Sequence, residues 1–386
     1  MAIDKRRSNF PFGLLGAKAY IKYEPLGVVG NVSPWNFPIA LTLSPLGGIF
    51  AAGNRAMLKP SEYTPQTSAL MAQLVAQYFD PSELAVIQGG AEVASEFCAL
   101  PFDHLLFTGS TQVGAKILAA TAANLVPTTL ELGGKSPVLV GADADIGEVA
   151  RKVAFAKTAN AGQICIAPDY VLLTEKHRQP FIEAYVAAVK EMFPEGADSP
   201  YFTNIINANH SLRLQSCLLE AQQLGNTVVN IFNQTKSQVD ERYVAPVVVD
   251  IKNSHCRLMR DEIFGPLLPV VSVADHDAAI NYVKQAAKLL AVYLFTKNHQ
   301  LIDKVADNVT CGGMVVNDLL MHFLQDDLPF GGVGPSGMGA YHAKEGFVRF
   351  SHAKSIFIAP KMDIGKFLRP PYGKLFSKLL DHEISK

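Results

Sequence analysis

The chain has 386 residues, 49% hydrophobic and 18% charged, with 34 lysines and arginines against 35 aspartates and glutamates. A chain of this length outgrows one core and divides into domains. Its net charge of -1 gives no electrostatic reason to bind nucleic acid or an acidic lipid surface.

In chain order, "AYIKYEPLGVVGNVSP" predicts a strand, a turn at Pro25 and a second strand. "QTSALMAQLVAQYF" then puts Leu70, Met71, Leu74, Val75, Tyr78 and Phe79 on one helical face. "LAVIQG", a polar helix and "HLLFTGS" follow. A second series runs "TLELG", "SPVLVG", a helix from about Asp145 to Ala159, "YVLLTE", a helix in "QPFIEAYVAAVKEMF", "AVYLFT" and "GGMVVNDLL". Short β-rich runs separated by helices imply parallel strands with crossover helices, hence open α/β sheets. The paired glycines Gly133 and Gly134 mark the expected domain change. The region 195–238 reads as the most loop-like. The start "MAIDKRRSNFPFGLLG" lacks the apolar run of a signal peptide, and the longest apolar region, "IALTLSPLGGIFAAG", is broken by Ser, Pro and Gly, so no membrane span is expected. Cys98, Cys165, Cys217, Cys256 and Cys311 form no C-x-x-C pair, which favours a reducing, cytoplasmic setting without a metal site.

Four stretches carry chemistry. In "HLLFTGSTQVG" a strand enters Gly109-Ser110 and then a helix, an arrangement that aims backbone N–H groups at a phosphate. Thr111 stands where a literal G-x-G-x-x-G has its middle glycine, so a purely structural turn is an equal reading. In "LKPSE", Lys59 and Glu62 end an apolar strand and could hold the hydroxyls of a ribose, but these residues taken alone favour a surface ion pair before a helix capped by Ser61 or Thr64. In "TLELGGKSP", Glu131 sits inside an apolar strand, where a carboxylate is costly unless paired or proton-bearing, which makes it a candidate general base. In "NAGQICIAP", Cys165 follows Gly162 and Gln163, so the backbone can present both the thiol and its own N–H. A buried free cysteine is ordinarily a small hydrophobe, and no histidine lies nearby in sequence to make a protease-like pair.

The motifs "VSPWNFP", "GNRAMLKPSE", "FTGSTQVG", "TLELGGKSP", "NAGQICIAP", "DEIFGPLLPVV" and "LPFGGVGPSGMG" occur in that order and together resemble the aldehyde dehydrogenase superfamily from about Tyr20 to His352. "CIAPDYVLL", "VNDLLMHF", "GMGAYHAKEGFVRFSHAK" and "RPPYGK" resemble the class 3-type branch, and within it coniferyl aldehyde dehydrogenases. The resemblance implies that Cys165 attacks an aldehyde as a thiolate, that Asn36 and the Cys165 N–H hold the oxyanion, and that Glu131, 34 residues before the cysteine, activates the hydrolytic water. It further implies Lys59 and Glu62 at the adenine ribose, Trp35, Gly109 and Ser110 at the pyrophosphate, and Glu262 with Phe264 at the nicotinamide ribose. NAD is the implied cofactor, with NADP second because Glu62 would repel its extra phosphate. The implied substrate is coniferyl aldehyde, then a fatty or general aromatic aldehyde. A CoA-acylating enzyme and a non-catalytic nucleotide binder are weaker readings, because Glu131 and the other implied residues are all present.

The implied fold is α/β and aldehyde dehydrogenase-like: two open parallel-sheet domains, one Rossmann-like for the cofactor and one catalytic, with a small oligomerisation strand element. The expected division is 1–133 for NAD(P), with strand 17–25 in the oligomerisation element, 134–336 for catalysis, and 337–386 for a second such strand and a tail. "AKAYIKY" and "KSIFIAP" imply a homodimer, with a tetramer as runner-up. Family members usually carry a further helical N-terminal stretch, so stability or cofactor affinity is expected to suffer. The tail "GKFLRPPYGKLFSKLLDHEISK" is basic and amphipathic, and packing on the body is expected rather than membrane attachment.

Overall fold

A computed structural model describes residues 2–9, 12–232, 240–286, 288–363, 365–366 and 369–385. Its contacts divide the chain into two compact units, Leu26–Phe350 and Met1–Pro25 with Ser351–Lys386.

Leu26–Phe350 holds two open sheets. The six-stranded sheet runs in the order Gly337–Met338, Thr128–Leu132, His104–Gly109, Val28–Val32, Arg55–Lys59, Leu84–Val86. All of its pairings are parallel except that of the edge strand Gly337–Met338. The seven-stranded sheet runs Thr227–Asn230, Val247–Ile251, Leu267–Val273, Tyr170–Thr174, Pro137–Val140, Leu289–Phe295, Cys311–Val316, and only Thr227–Asn230 is antiparallel to its neighbour. Leu58, Leu105, Leu106, Val138, Val171, Leu172, Val248 and Val292 are sealed from solvent, as parallel strands covered on both faces require. The chain leaves the first sheet at Leu132 and enters the second at Pro137, so Gly133 and Gly134 lie in the crossing.

Three expectations need correction. In helix Pro65–Tyr78 the buried residues are Ser68, Met71 and Val75, whereas Leu70, Leu74, Tyr78 and the following Phe79 are exposed. The apolar residues form two adjacent stripes, and only the one containing Met71 and Val75 meets the core. Region 195–238 is not mainly loop, because Ala208–Gln223 is a helix capped by Asn207, whose side chain accepts from the His210 N–H. Its buried line, Ser211, Leu214, Cys217 and Ala221, is made largely of small residues, which weakens the periodic signal; 233–238 lie outside the described residues. Strands Val247–Ile251 and Leu267–Val273 add to those expected. Short all-apolar runs such as "PVVVD" and "PLLPVV" have no alternation to separate strand from buried helix.

The smaller unit contains an antiparallel sheet, Ile3–Arg6, Lys18–Pro25, Ser351–Ile358. Lys22 and Lys354 bracket Glu24 at 3.1 and 2.5 Å. The tail forms helix Lys374–Ile384, on which Leu379, Leu380 and Ile384 are exposed. Among the described residues, no helix is long and apolar enough to cross a membrane.

Candidate active site

Four parallel strands of the six-stranded sheet end side by side, with Val32 opposite Lys59 and Gly109 opposite Leu132. Open α/β sheets bind ligands beyond these carboxyl ends. Trp35 and Asn36 follow the first strand end, Glu62 the second, Ser110 the third, and Glu131 is one residue from the fourth. From the other sheet, Cys165 and Glu262–Phe264 lie just before the amino ends of the paired strands Tyr170–Thr174 and Leu267–Val273. Cys165 and Glu131 come together from separate sheets.

The turn presenting Cys165 is unusual in its backbone. Helix Ile146–Thr158, capped by Asp145 on the Glu148 N–H, ends where Asn160, Ala161 and Gly162 take φ of 49°, 52° and 73°. A Cβ on Gly162 would lie 2.4 Å from the Gly265 oxygen, so glycine is required on two grounds. Buried Gln163 fixes the turn: its amide donates to the Asn160 and Asn204 carbonyls at 2.9 and 3.2 Å, and its oxygen accepts from the Ile206 N–H at 2.9 Å. The Tyr293 hydroxyl donates to the Ile166 carbonyl at 2.5 Å. Asn36 Nδ2 donates to the Gln163 carbonyl at 3.0 Å, and Asn160 Nδ2 donates back to the Asn36 carbonyl at 3.1 Å, which ties the Asn36 amide to the cysteine turn.

Cys165 and Glu131 line one cavity of about 310 Å³ whose other walls are almost wholly apolar, among them Phe37, Phe155, Phe323 and Phe330. Glu131 is buried, and neither carboxylate oxygen has a hydrogen-bond partner. Burial therefore raises its pKa well above the ordinary carboxylate range, with Arg349 opposing weakly. Burial, then the charges of Glu262 and Glu131, push the Cys165 thiol up to about 12, while the backbone N–H groups of Cys165 and Ile166 pull the other way. The resting cysteine is a protonated thiol, so a nearby base has to take its proton before it can attack. No histidine is among the described side chains that line the cavity.

On the cofactor side, Lys59 is buried, donates to the Pro60 carbonyl at 2.9 Å and lies 3.6 Å from Glu62. The alternative of a surface pair fails for Lys59, and Thr64, at the cap position of helix Pro65–Tyr78, makes no capping bond. Ser61 is no cap either; its hydroxyl accepts from the Tyr63 N–H. Ser110 caps helix Thr111–Ala122 by accepting from the Val113 N–H at 3.4 Å, directly after Gly109. Trp35 meets Phe264 edge-on at 5.5 Å, and Phe264 has a φ of 47°. Glu262 has one buried oxygen without a partner, and a Cβ on Gly133 would fall 2.0 Å from its other oxygen. Burial and the Asp169 charge raise its pKa to about 8, against the Gly134 N–H and the charges of Lys135 and Arg213.

A supporting network was not foreseen from sequence. Lys135 reaches Asp169 at 2.5 Å and the Leu258 and Asp261 carbonyls at 2.7 and 2.9 Å. Asp169 also accepts from the Ile263 N–H at 3.1 Å, and Arg213 donates to the Ile263 carbonyl at 2.6 Å. These bonds hold the backbone on both sides of Glu262. The available signal was a charged residue inside each apolar motif, Lys135 in "LGGKSP" and Asp169 in "CIAPDYVLL".

Two open sheets facing a shared apolar cavity, with a cysteine from one and a buried glutamate from the other, define the class: the aldehyde dehydrogenase family model matches residues 3–356, and the chain belongs to that family. It is 48% identical over 383 residues to a coniferyl aldehyde dehydrogenase of Pseudomonas sp. (strain HR199 / DSM 7063), covering 98% of this chain and 79% of that one. Its structure resembles the substrate-bound state of Staphylococcus aureus AldH at TM-score 0.90 and 38% identity, covering 99% of this chain and 82% of that one. It also resembles PnpE, from Pseudomonas sp. WBC-3, in complex with nicotinamide adenine dinucleotide, at TM-score 0.83 and 26% identity over 96% of this chain and 76% of that one.

Proposed function

We propose that this protein oxidises an aldehyde to the carboxylic acid through a thioester on Cys165, with NAD as hydride acceptor. The observation that carries the reading is the meeting of the Cys165 thiol and the unpartnered Glu131 carboxylate in one apolar cavity. The Cys165 proton passes to Glu131, the sulfur bonds the aldehyde carbon, and the oxyanion is received by the Cys165 N–H and the Asn36 Nδ2 hydrogen not given to Gln163. Bound nicotinamide supplies the acceptor for the hydride leaving that carbon. Glu131 gives the cysteine's proton up to solvent and then takes a proton from water as the water oxygen bonds the acyl carbon; the C–S bond breaks, that proton passes to the departing Cys165 sulfur, and the acid leaves.

The chain's residues fit such a cofactor. The unpartnered Glu262 oxygen is an acceptor that a ribose hydroxyl satisfies, and two residues on in the chain the Phe264 ring meets Trp35. Lys59 and Glu62 would hold the second ribose, and Gly109, Ser110 and the following helix N-terminus the pyrophosphate. The Glu62 carboxylate disfavours the extra phosphate of NADP, which ranks second. In this reading 1–133 serve the cofactor, 134–336 catalysis, and 337–386 with strand 17–25 assembly as a homodimer. Five free cysteines suit a reducing cytoplasm.

Coniferyl aldehyde is the proposed substrate: the Pseudomonas relative bears that name, and the phenylalanine walls suit a flat aromatic ring. The test is NADH formation by purified protein offered coniferyl aldehyde and hexanal, with Cys165→Ala as control. Turnover of coniferyl aldehyde lost in the variant supports the reading. Faster turnover of hexanal moves the substrate to alkyl aldehydes, and cofactor binding without turnover of either sinks the catalytic reading.

A further inference from the structure

Tyr293 sits in the strand Leu289–Phe295, between Val138 and Val315 of the neighbouring strands, and is sealed from solvent. Its hydroxyl touches two pieces of the cavity wall at once. It donates to the Ile166 carbonyl at 2.5 Å and accepts from the backbone N–H of Leu320. Ile166 and Leu320 both line the cavity. Burial pushes the phenol's pKa up, so the hydroxyl keeps the proton that it donates.

The first piece of wall carries the nucleophile. The Ala167 N–H donates to the Ile164 carbonyl at 2.9 Å, which makes Cys165 and Ile166 the central pair of a tight turn. Asn36 holds the carbonyl of Gln163 before the turn, and Tyr293 holds the carbonyl of Ile166 within it. The Cys165 N–H lies between those two carbonyls along the chain, so its direction depends on both anchors. The second piece is the segment 317–324, from which Leu320, Met321, Phe323 and Leu324 face the cavity. Its base is fastened just past the end of the Tyr293 strand: the Asn317 side chain accepts from the Thr296 N–H and donates to the Thr296 carbonyl, both at 2.9 Å. Leu320, at a φ of 66°, is a leucine in the left-handed region, a conformation that persists only where its surroundings impose it. The His322 ring of the same segment stands edge-on to the Tyr293 ring at 6.3 Å.

We propose that Tyr293 is a positioning residue for acylation: its hydroxyl, bridging the Cys165 turn and the segment 317–324, keeps the Cys165 N–H aimed at the oxyanion that forms when the sulfur attacks. Tyr293→Phe keeps the ring in place but takes from the Ile166 carbonyl and the Leu320 N–H the partner they share. The inference rests on Cys165 acting as proposed above.

The test needs no cofactor. With 4-nitrophenyl acetate the Cys165 proton passes to Glu131, the sulfur bonds the acetyl carbon, and 4-nitrophenolate leaves in a burst that reports acylation. Intact-protein mass then shows one acetyl adduct. Alkylation of the same thiol by iodoacetamide forms no oxyanion, so it reports the thiol without the N–H. Losing an oxyanion donor outright costs about 10²–10³ in rate, and a misdirected one in Tyr293→Phe is expected to slow the burst about tenfold or more while alkylation stays within about twofold. A merely structural role would leave the two reactions unaltered in the folded variant or slow both alike, and either result overturns the proposal. Asn317→Ala loosens the segment from below without touching the cysteine turn, and is expected to slow the burst about threefold. An unaltered burst there refutes the bridge, and this variant decides the matter if Tyr293→Phe does not fold by circular dichroism. A wild-type burst abolished in Cys165→Ala secures the nucleophile, so that failure of the Tyr293 role and failure of the Cys165 reading are told apart.

Discussion

Replacing Gly162 by alanine tests whether the cysteine turn depends on backbone freedom. Gly162 has a φ of 73°, and an added Cβ would sit 2.4 Å from the Gly265 oxygen, 2.7 Å from the Gly265 carbonyl carbon and 3.0 Å from the Lys157 oxygen. All three are backbone atoms, so no side chain can swing aside. A non-glycine residue in the left-handed region costs about 1–2 kcal/mol and overpacking about 1–3 kcal/mol, which together predict a loss of about 2–5 kcal/mol. Gly265 directly follows Phe264, so the clash also pushes the cysteine turn away from the Glu262–Phe264 segment. A displacement near 1 Å at a reacting group can cost about a hundredfold in rate. Urea unfolding followed by circular dichroism gives the first quantity and the 4-nitrophenyl acetate burst the second. A stability change under about 0.5 kcal/mol with an unaltered burst would refute the steric reasoning.

Cys165→Ala should abolish both the nitrophenolate burst and the acetyl adduct; an adduct found on Cys98, Cys217, Cys256 or Cys311 instead would move the nucleophile elsewhere. Because the thiol is pushed up to about 12, its alkylation by iodoacetamide should climb steadily from pH 7 to pH 9 with no plateau, whereas a plateau near neutrality would indicate a preformed thiolate. Glu262 has a folded pKa raised from 4.5 to about 8, so the native state binds more protons than the unfolded one between those values. Its contribution to stability is therefore lost as pH rises from 4.5 toward 8 and is constant above that. Glu262→Gln should flatten this part of the urea stability profile, and an unchanged slope would show that the carboxylate ionises normally.

Much of the site is written locally. Alternating apolar strands and helices set the two parallel sheets, because buried strands and crossover helices each demand their own residue periodicity. A glutamate inside "TLELG" already declares a buried carboxylate, and "GST" after an apolar strand already declares a capped helix end. Helix Ala208–Gln223 has a weak periodic signal because small residues fill its buried line, and the stripe of Leu70 and Leu74 stays exposed because an apolar stripe says nothing about which neighbour is there to cover it. Only the tertiary structure decided what lies opposite what. Cys165 and Glu131 belong to different sheets, Tyr341 reaches the same cavity after a return along the Glu131 strand, and Lys135 and Asp169 serve Glu262 across more than ninety residues. Those juxtapositions depend on how strands are ordered in space, and they give the carboxylate its unpaired oxygens and the thiol its raised pKa.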